Sequence, residues 1–297
     1  MLKSVMAKTN IAKTKPKVST MYNQPKYFVK HFNEDKVAYI IRQLLFKSIK
    51  KHLKEINDKR GQSKYCVMLS GGVDSTIIAT IIRMLCVKDY DTNSKDLWPL
   101  CIVSGVNIIT KNEIKVPKDV IYARIVSSSL RFKLVEHTIS LDKLEAYIKK
   151  VIDILIAESI LDKTKDIRRK DMVNISVGIG LYLSLEKAKE LGCKYVFNGL
   201  GADEIFAGYY SHKVSEDVNQ ECKIRLSNLE GDIKRDQAIA NVFNIKLLYP
   251  FLDQELVNYA LNIPPELKIR NSNREVKEII EKYILRKVLE SLVNDYN

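Results

Sequence analysis

Ser70-Gly71-Gly72-Val73-Asp74-Ser75 is the stretch on which the reading of the fold turns. Ahead of it, Tyr65, Val67 and Leu69 stand in a short run of strand-like composition. Beyond it, Ile77, Ile78, Ile81, Ile82 and Leu85 recur at helical spacing. The segment reads as strand, tight loop, helix. Gly71 and Gly72 remove two side chains where phosphate oxygens would approach the backbone. The free N–H groups of Ser75 and the following turn sit at the positive end of the helix. Ser70 and Ser75 add hydroxyl donors. Asp74 would repel an anion, so its useful role is to hold a magnesium ion that neutralises phosphate charge. One carboxylate cannot fix such an ion alone. The stretch is neither a GxxxxGK P-loop nor a GxGxxG dinucleotide motif. An ordinary strand-to-helix turn with a polar cap has the same local pattern, so the rest of the chain must decide.

A second loop supplies what the first lacks. Tyr195, Val196 and Phe197 lead into Asn198-Gly199-Leu200-Gly201-Ala202-Asp203-Glu204, again a strand, a glycine-rich turn and a short apolar helix. If the two loops face one another, Asp74 and Asp203 jointly coordinate magnesium on a triphosphate. Glu204 is a candidate to take a proton from an attacking nitrogen. Its structural alternative is a carboxylate favoured at a helix N-terminus.

Working outward, apolar residues from Val37 to Leu53 mark one face of a helix over Asp35 to Ile56. Leu100 to Val106 and Leu134 to Ile139 read as further strands around a helix near Asp119 to Leu130. The order β-α-β-α-β predicts an α/β fold with a mostly parallel central sheet flanked by helices and a helical C-terminal portion. The loop expected after Val106 lies at the carboxyl end of a strand, which makes Gly105 to Ile108, Gly105 and Val106 among them, candidates for the adenosine edge. A helix is expected over residues 141–160, then a charged loop from Asp162 to Asp171. In that loop Arg168, Arg169 and Lys170 either guard an anionic ligand or are simply solvated. A helix resumes from Ile175. Arg235-Asp236 reads as the start of a polar helix, Asp253 as the N-cap of the helix with Leu256, Val257 and Ala260, Pro264 and Pro265 as its stop, and Lys282 as part of the last helix.

Length and balance of composition fit a soluble protein with a substantial core. No apolar run reaches a membrane span and no secretory block follows the basic N-terminus, so a cytoplasmic location is expected. The five cysteines are scattered without a CxxC pair, which argues against structural zinc and a disulfide framework. Cys66 and Cys101 read as small core residues. Residues 1–35 read as a basic arm and residues 36–297 as the enzymatic domain. The net charge of +13 suits nucleic acid, an acidic protein or a polyanionic substrate, but no nucleic-acid-binding signature accompanies it.

The ordered set SGGVDS, NGLGADEIFAGY, YPFLD and KYILR closely resembles the synthetase domain of asparagine synthetases and their relatives, from about residue 36 to about residue 292. The resemblance implies an adenine-nucleotide alpha-hydrolase-like, PP-loop fold. It also implies ATP-dependent amide synthesis: ATP adenylylates a carboxylate, pyrophosphate leaves, and nitrogen attacks the acyl-adenylate. By resemblance, Ser70, Gly71, Gly72, Asp74 and Ser75 form the pyrophosphate loop, with Gly199, Gly105 and Val106 near the nucleotide. Asp74 and Asp203 bind Mg2+, Glu204 assists ammonia attack, and Lys282 stabilises negative charge.

Two departures stand out. Members of the family carry an N-terminal glutaminase domain that opens with a nucleophilic cysteine, whereas this sequence opens Met1-Leu2 and has no cysteine before Cys66. The expectation is that free ammonia, a separate glutaminase or a different amine supplies the nitrogen. Ahead of Pro250, the family's Glu-Ala-Arg-Val is replaced by Lys246-Leu247-Leu248-Tyr249. This makes Lys246 and Asp253 candidates for substrate recognition. It also leaves two alternatives to asparagine synthesis: modification of a larger substrate such as RNA, and an ATP-binding scaffold without catalysis.

Overall fold

An amphipathic helix, α1 (Glu34–Asn57), leads into the central strand β1 (Tyr65–Leu69) and the loop-initiated helix α2 (Val73–Asp89). The structure is a computed structural model that describes residues 33–57, 64–89, 100–109, 114–162, 164–166, 168–271 and 279–296. The expected basic arm therefore lies outside the described residues up to position 32, and its last two positions, Glu34 and Asp35, already belong to α1.

Strands β2 (Leu100–Ile109) and β3 (Ile114–Lys115) follow, then α3 (Lys118–Ser129), β4 (Leu134–Ser140), α4 (Leu141–Ala157), α5 (Arg169–Glu190) and β5 (Tyr195–Phe197). The second half holds α6 (Ala202–Phe206), α7 (Tyr210–Val214), α8 (Val218–Asn228), α9 (Glu230–Val242) and β6 (Lys246–Leu248). A 3-10 turn (Pro250–Leu252), α10 (Gln254–Asn262), α11 (Pro265–Lys268), the antiparallel pair β7 (Arg270–Asn271) and β8 (Ile279–Ile280), and α12 (Tyr283–Tyr296) complete it.

The sheet is mostly parallel, as expected. β4, β2, β1, β5 and β6 run the same way, and β3 pairs antiparallel with the far end of β2. Alternate residues of each strand feed opposite layers. Val67, Leu69, Phe197 and Leu248 enter a core built with α1, α2, α10 and α12, while Cys66, Val196 and Leu247 enter a second core with α4, α5 and α9. Ser48 of α1 donates to the Pro250 carbonyl at 2.9 Å and so ties that helix to the turn after β6. Cys66, Cys193 and Cys222 are buried and form no disulfide.

Several local expectations are corrected. β2 does not end at Val106 but runs to Ile109, so Asn107 and Ile108 lie within the strand that holds Gly105 and Val106 rather than in a loop after it; pairing with β3 and β4 satisfies the extra backbone. α5 starts at Arg169, not Ile175. The Asp171 carboxylate accepts from the Arg168 backbone and guanidinium, both at 3.0 Å, and caps the helix out of the charged segment. Arg168 is thereby paired with Asp171 while its side chain stays 70% exposed. Arg235 and Asp236 sit in the middle of α9, buried, where Arg235 pairs with Asp236 at 2.7 Å and Asp232 at 2.6 Å. Pro265 opens the short turn α11, a position proline tolerates because the first helical N–H needs no partner. Lys282 precedes α12 and is not part of it.

Candidate active site

The first loop leaves β1 at Leu69 and enters α2 at Val73. The Ser70 N–H donates to Ser75 Oγ at 3.2 Å, the two serine hydroxyls lie 3.1 Å apart, and Ser75 Oγ donates to the Gly72 carbonyl at 3.2 Å. These hydroxyls brace the loop itself. Gly71 has a left-handed φ of 74°, and a β-carbon there would come within 2.7 Å of the Ala123 amide nitrogen in α3. Only glycine fits that contact without a backbone shift.

The second loop is aligned to the first by the sheet. Val67 lies opposite Phe197, so two residues further on Gly199 is level with the end of β1. A β-carbon on Gly199 would lie 3.3 Å from Asp74 Cβ. Asn198 shapes the turn by accepting from the Leu200 N–H at 2.9 Å. Gly201, at φ 100°, then reverses the chain into α6.

Lys282 closes the site. Its Nζ is 2.5 Å from Asp74 Oδ2 and 2.7 Å from Asp203 Oδ1. The lysine and Asp74 side chains are 12% and 18% exposed while Asp203 is 36% exposed, so the cluster opens to solvent on the Asp203 side. Burial pushes the Asp74 carboxyl up to about 6, against the opposing pull of Lys282. For Lys282, burial acts downward, but the carboxylates of Asp74 and Asp203 outweigh it and the net shift is upward. The lysine backbone is left-handed, φ 51°, a conformation that costs about 1–2 kcal/mol for a residue with a β-carbon. Its neighbours hold it there: Glu281 pairs with Lys213 at 2.6 Å, and the Tyr283 hydroxyl donates to Glu34 at 2.8 Å. Arg270 also pairs with Glu34 and stacks 3.8 Å over the Tyr283 ring.

The family model for asparagine synthase matches residues 41–228 and 213–296. The chain belongs to the asparagine synthase family. A Methanocaldococcus jannaschii protein named as an asparagine synthetase of the glutamine-hydrolyzing type is 33% identical over 227 residues, covering 74% of this chain and 36% of its own. Asparagine synthetase B, glutamine-hydrolyzing, of Escherichia coli K12 is 27% identical over 257 residues, covering 84% of this chain and 41% of its own. The chain thus spans well under half the length of these curated relatives. NAD+ synthetase from Burkholderia pseudomallei aligns over 99% of this chain and 93% of its own, at 11% identity and a TM-score of 0.32, a likeness too loose to bear on fold or function.

Within this asparagine synthase fold, Glu204 lies beside the cluster yet deeper. It is 3% exposed; Oε1 accepts from the Tyr209 hydroxyl at 2.6 Å, and Oε2 is buried with no hydrogen-bond partner among the described residues. Burial raises its pKa, and the bond from Tyr209 opposes that shift. Burial and the Glu204 charge push the Tyr209 hydroxyl far up, so it remains a donor.

Gly105 lies two residues beyond Val103, which is opposite Leu69. The β2 backbone at Gly105 and Val106 therefore continues beyond the last residue of β1 paired with it, Leu69.

Lys246 and Asp253 are not brought to the site. Lys246 is opposite Tyr195 at the amino end of its strand, across the sheet from both loops, and pairs with Glu55 at 3.3 Å. Parallel pairing puts the beginning of β6 at the wrong edge for a ligand. Asp253 caps α10, accepting from the Glu255 N–H at 3.1 Å, and faces Lys51 at 3.5 Å. Sequence reasoning missed Gly208, Tyr209 and the Glu34–Arg270–Tyr283 latch. The first two stand in the quoted NGLGADEIFAGY block, while the latch joins residues too far apart for any local signal.

The residues fit a magnesium ion carried by a nucleotide. Two carboxylates converge, and Asp74 Oδ1 is buried without a partner. Among the described residues no group of three or more His, Cys, Asp or Glu side chains forms a complete metal cage. Mg2+ is ordinarily held by one or two carboxylates together with phosphate oxygens.

Proposed function

We propose that the two loops bind MgATP and that the site makes an amide through an acyl-adenylate, most simply aspartate plus ammonia to asparagine with release of AMP and pyrophosphate. What carries the reading is the convergence of Asp74, Asp203 and Lys282 on one point at the carboxyl edge of the sheet. The amides at the start of α2 receive phosphate oxygens at the positive helix end. Asp74 and Asp203 hold Mg2+, which when bound offsets the charge of the departing pyrophosphate. The Lys282 ammonium stabilises charge on the phosphate under attack by the carboxylate oxygen.

Nitrogen then attacks the acyl carbon and AMP leaves. A carboxylate takes the proton lost by nitrogen, and Glu204, with its raised pKa and one unengaged oxygen, suits that task. The nitrogen arrives as ammonia, supplied free or by glutamine hydrolysis; the E. coli and M. jannaschii relatives are named for glutamine hydrolysis.

A carboxylate other than aspartate is a second reading for the acceptor. It is supported by Leu248, which is buried where the family pattern has arginine. AMP, pyrophosphate and amide product are to be measured with MgATP, ammonium and a panel of aspartate, related carboxylates and an RNA oligonucleotide. Release dependent on one carboxylate supports the reading and names the acceptor. Folded protein that binds MgATP yet releases nothing with any acceptor contradicts it and leaves the scaffold role.

A further inference from the structure

The contacts of Lys282 raise a question of order. Its ammonium occupies the point between Asp74 and Asp203 where a shared cation would sit, at 2.5 Å and 2.7 Å from the two carboxylates. Both cannot be there: an ammonium and a divalent cation packed against the same oxygens repel strongly at a separation of about 4 Å. Arg286, one turn into α12, adds further positive charge toward Asp74.

We propose that Lys282 is a built-in counter-ion that excludes free divalent metal from the two carboxylates and yields the place only when a nucleotide brings phosphate oxygens to receive its ammonium. The proposal rests on the nucleotide-site reading above. Charge balance explains why the exchange needs the nucleotide. Without phosphate, metal would have to expel a mostly buried ammonium from its two carboxylate partners. With a triphosphate, both cations find anionic partners. The left-handed backbone of Lys282 and the anchors at Glu281 and Tyr283 fix the stem of the side chain, so the motion needed is confined to the side chain itself. Gly208 gives that stem its room, since a β-carbon there would lie 2.7 Å from Asp203 Cγ and closer still to the lysine.

Mn2+ binding, followed by electron paramagnetic resonance, tests this with wild type, Lys282→Met and Asp203→Asn, each with and without a non-hydrolysable ATP analogue. The expected result is Mn2+ binding to nucleotide-free Lys282→Met at least about tenfold tighter than to wild type, with Asp203→Asn weaker than both. Equal or weaker binding by folded Lys282→Met overturns the proposal. If that variant does not fold, amine acylation of Lys282 in wild type, read by mass spectrometry, decides. Labelling that Mn2+ alone leaves unchanged but that Mn2+ with the analogue alters supports the exchange; labelling accelerated by Mn2+ alone, or unchanged in both conditions, overturns it. If wild type gains no Mn2+ affinity from the analogue, the nucleotide-site reading fails and the proposal with it. If wild type gains but Lys282→Met shows no nucleotide-free advantage, only the exchange fails.

Discussion

Gly208 lies directly against the carboxylate of Asp203, so that a β-carbon at position 208 would come within 2.7 Å of Asp203 Cγ. The Gly208 N–H also donates to the Asp203 carbonyl at 3.0 Å, which leaves the glycine little freedom to retreat. Gly208→Ala is expected to push Asp203 and Lys282 apart, destabilise the fold by about 1–3 kcal/mol, and weaken MgATP-analogue binding. Calorimetry of binding alongside thermal melts checks this; wild-type affinity in the variant would show that the close approach has no role in the site.

Tyr209 is the hydrogen-bond donor to Glu204 at 2.6 Å. In Tyr209→Phe the buried Glu204 carboxyl loses the hydroxyl that Oε1 accepts from, while Oε2 is already without a partner among the described residues, at a cost of about 1–3 kcal/mol. The lost bond had held the Glu204 pKa down, so that pKa rises. If Glu204 accepts the proton from nitrogen it must be ionised, and the acidic limb of the pH–rate profile for amide formation moves to higher pH. A drop in rate with an unmoved limb would reduce Tyr209 to a structural role.

Lys268 is fully buried beside Cys222, with Nζ 3.7 Å from the sulfur, and burial lowers its pKa from 10.5 to about 8. Between those values the unfolded chain binds a proton that the folded one has lost, so this lysine's contribution to stability rises with pH across that window and falls away as pH drops through 8. At neutral pH the full cost, about 3 kcal/mol, is present. Lys268→Met is expected to be the more stable protein at pH 7, and its advantage should shrink toward pH 10.5. Urea unfolding of both at several pH values checks the sign; an advantage that does not change with pH would contradict it.

Much of this was legible in the sequence because it is local. The two glycine loops sit where an apolar strand ends and a helical repeat begins, and the positions of Asp74, Gly199 and Asp203 follow from strand pairing alone. Lys282 was legible only through the family resemblance: it lies outside the periodic stretch of α12, in a left-handed turn that no pattern announces. The extension of β2 past Val106 was hidden because its partners β3 and β4 come later in the chain. Lys246 misled because a charge change close to a motif in sequence falls at the far edge of the sheet once β6 runs parallel to β5. Arg235 and Asp236 read as a polar helix start because adjacent charges usually mark a solvated face. Here they neutralise each other inside the protein, with the Asn174 side chain 3.4 Å away.

The central claim is that Asp74 and Asp203 share one nucleotide-borne cation. Crystals grown with a non-hydrolysable ATP analogue and Mn2+ in place of Mg2+ test it through the anomalous signal of the metal. The expected result is a single peak bridging the two carboxylates, about 2.0–2.3 Å from an oxygen of each, with the phosphates against the Ser70–Ser75 loop. A peak touching neither carboxylate, or the analogue bound elsewhere on the protein, would contradict the account.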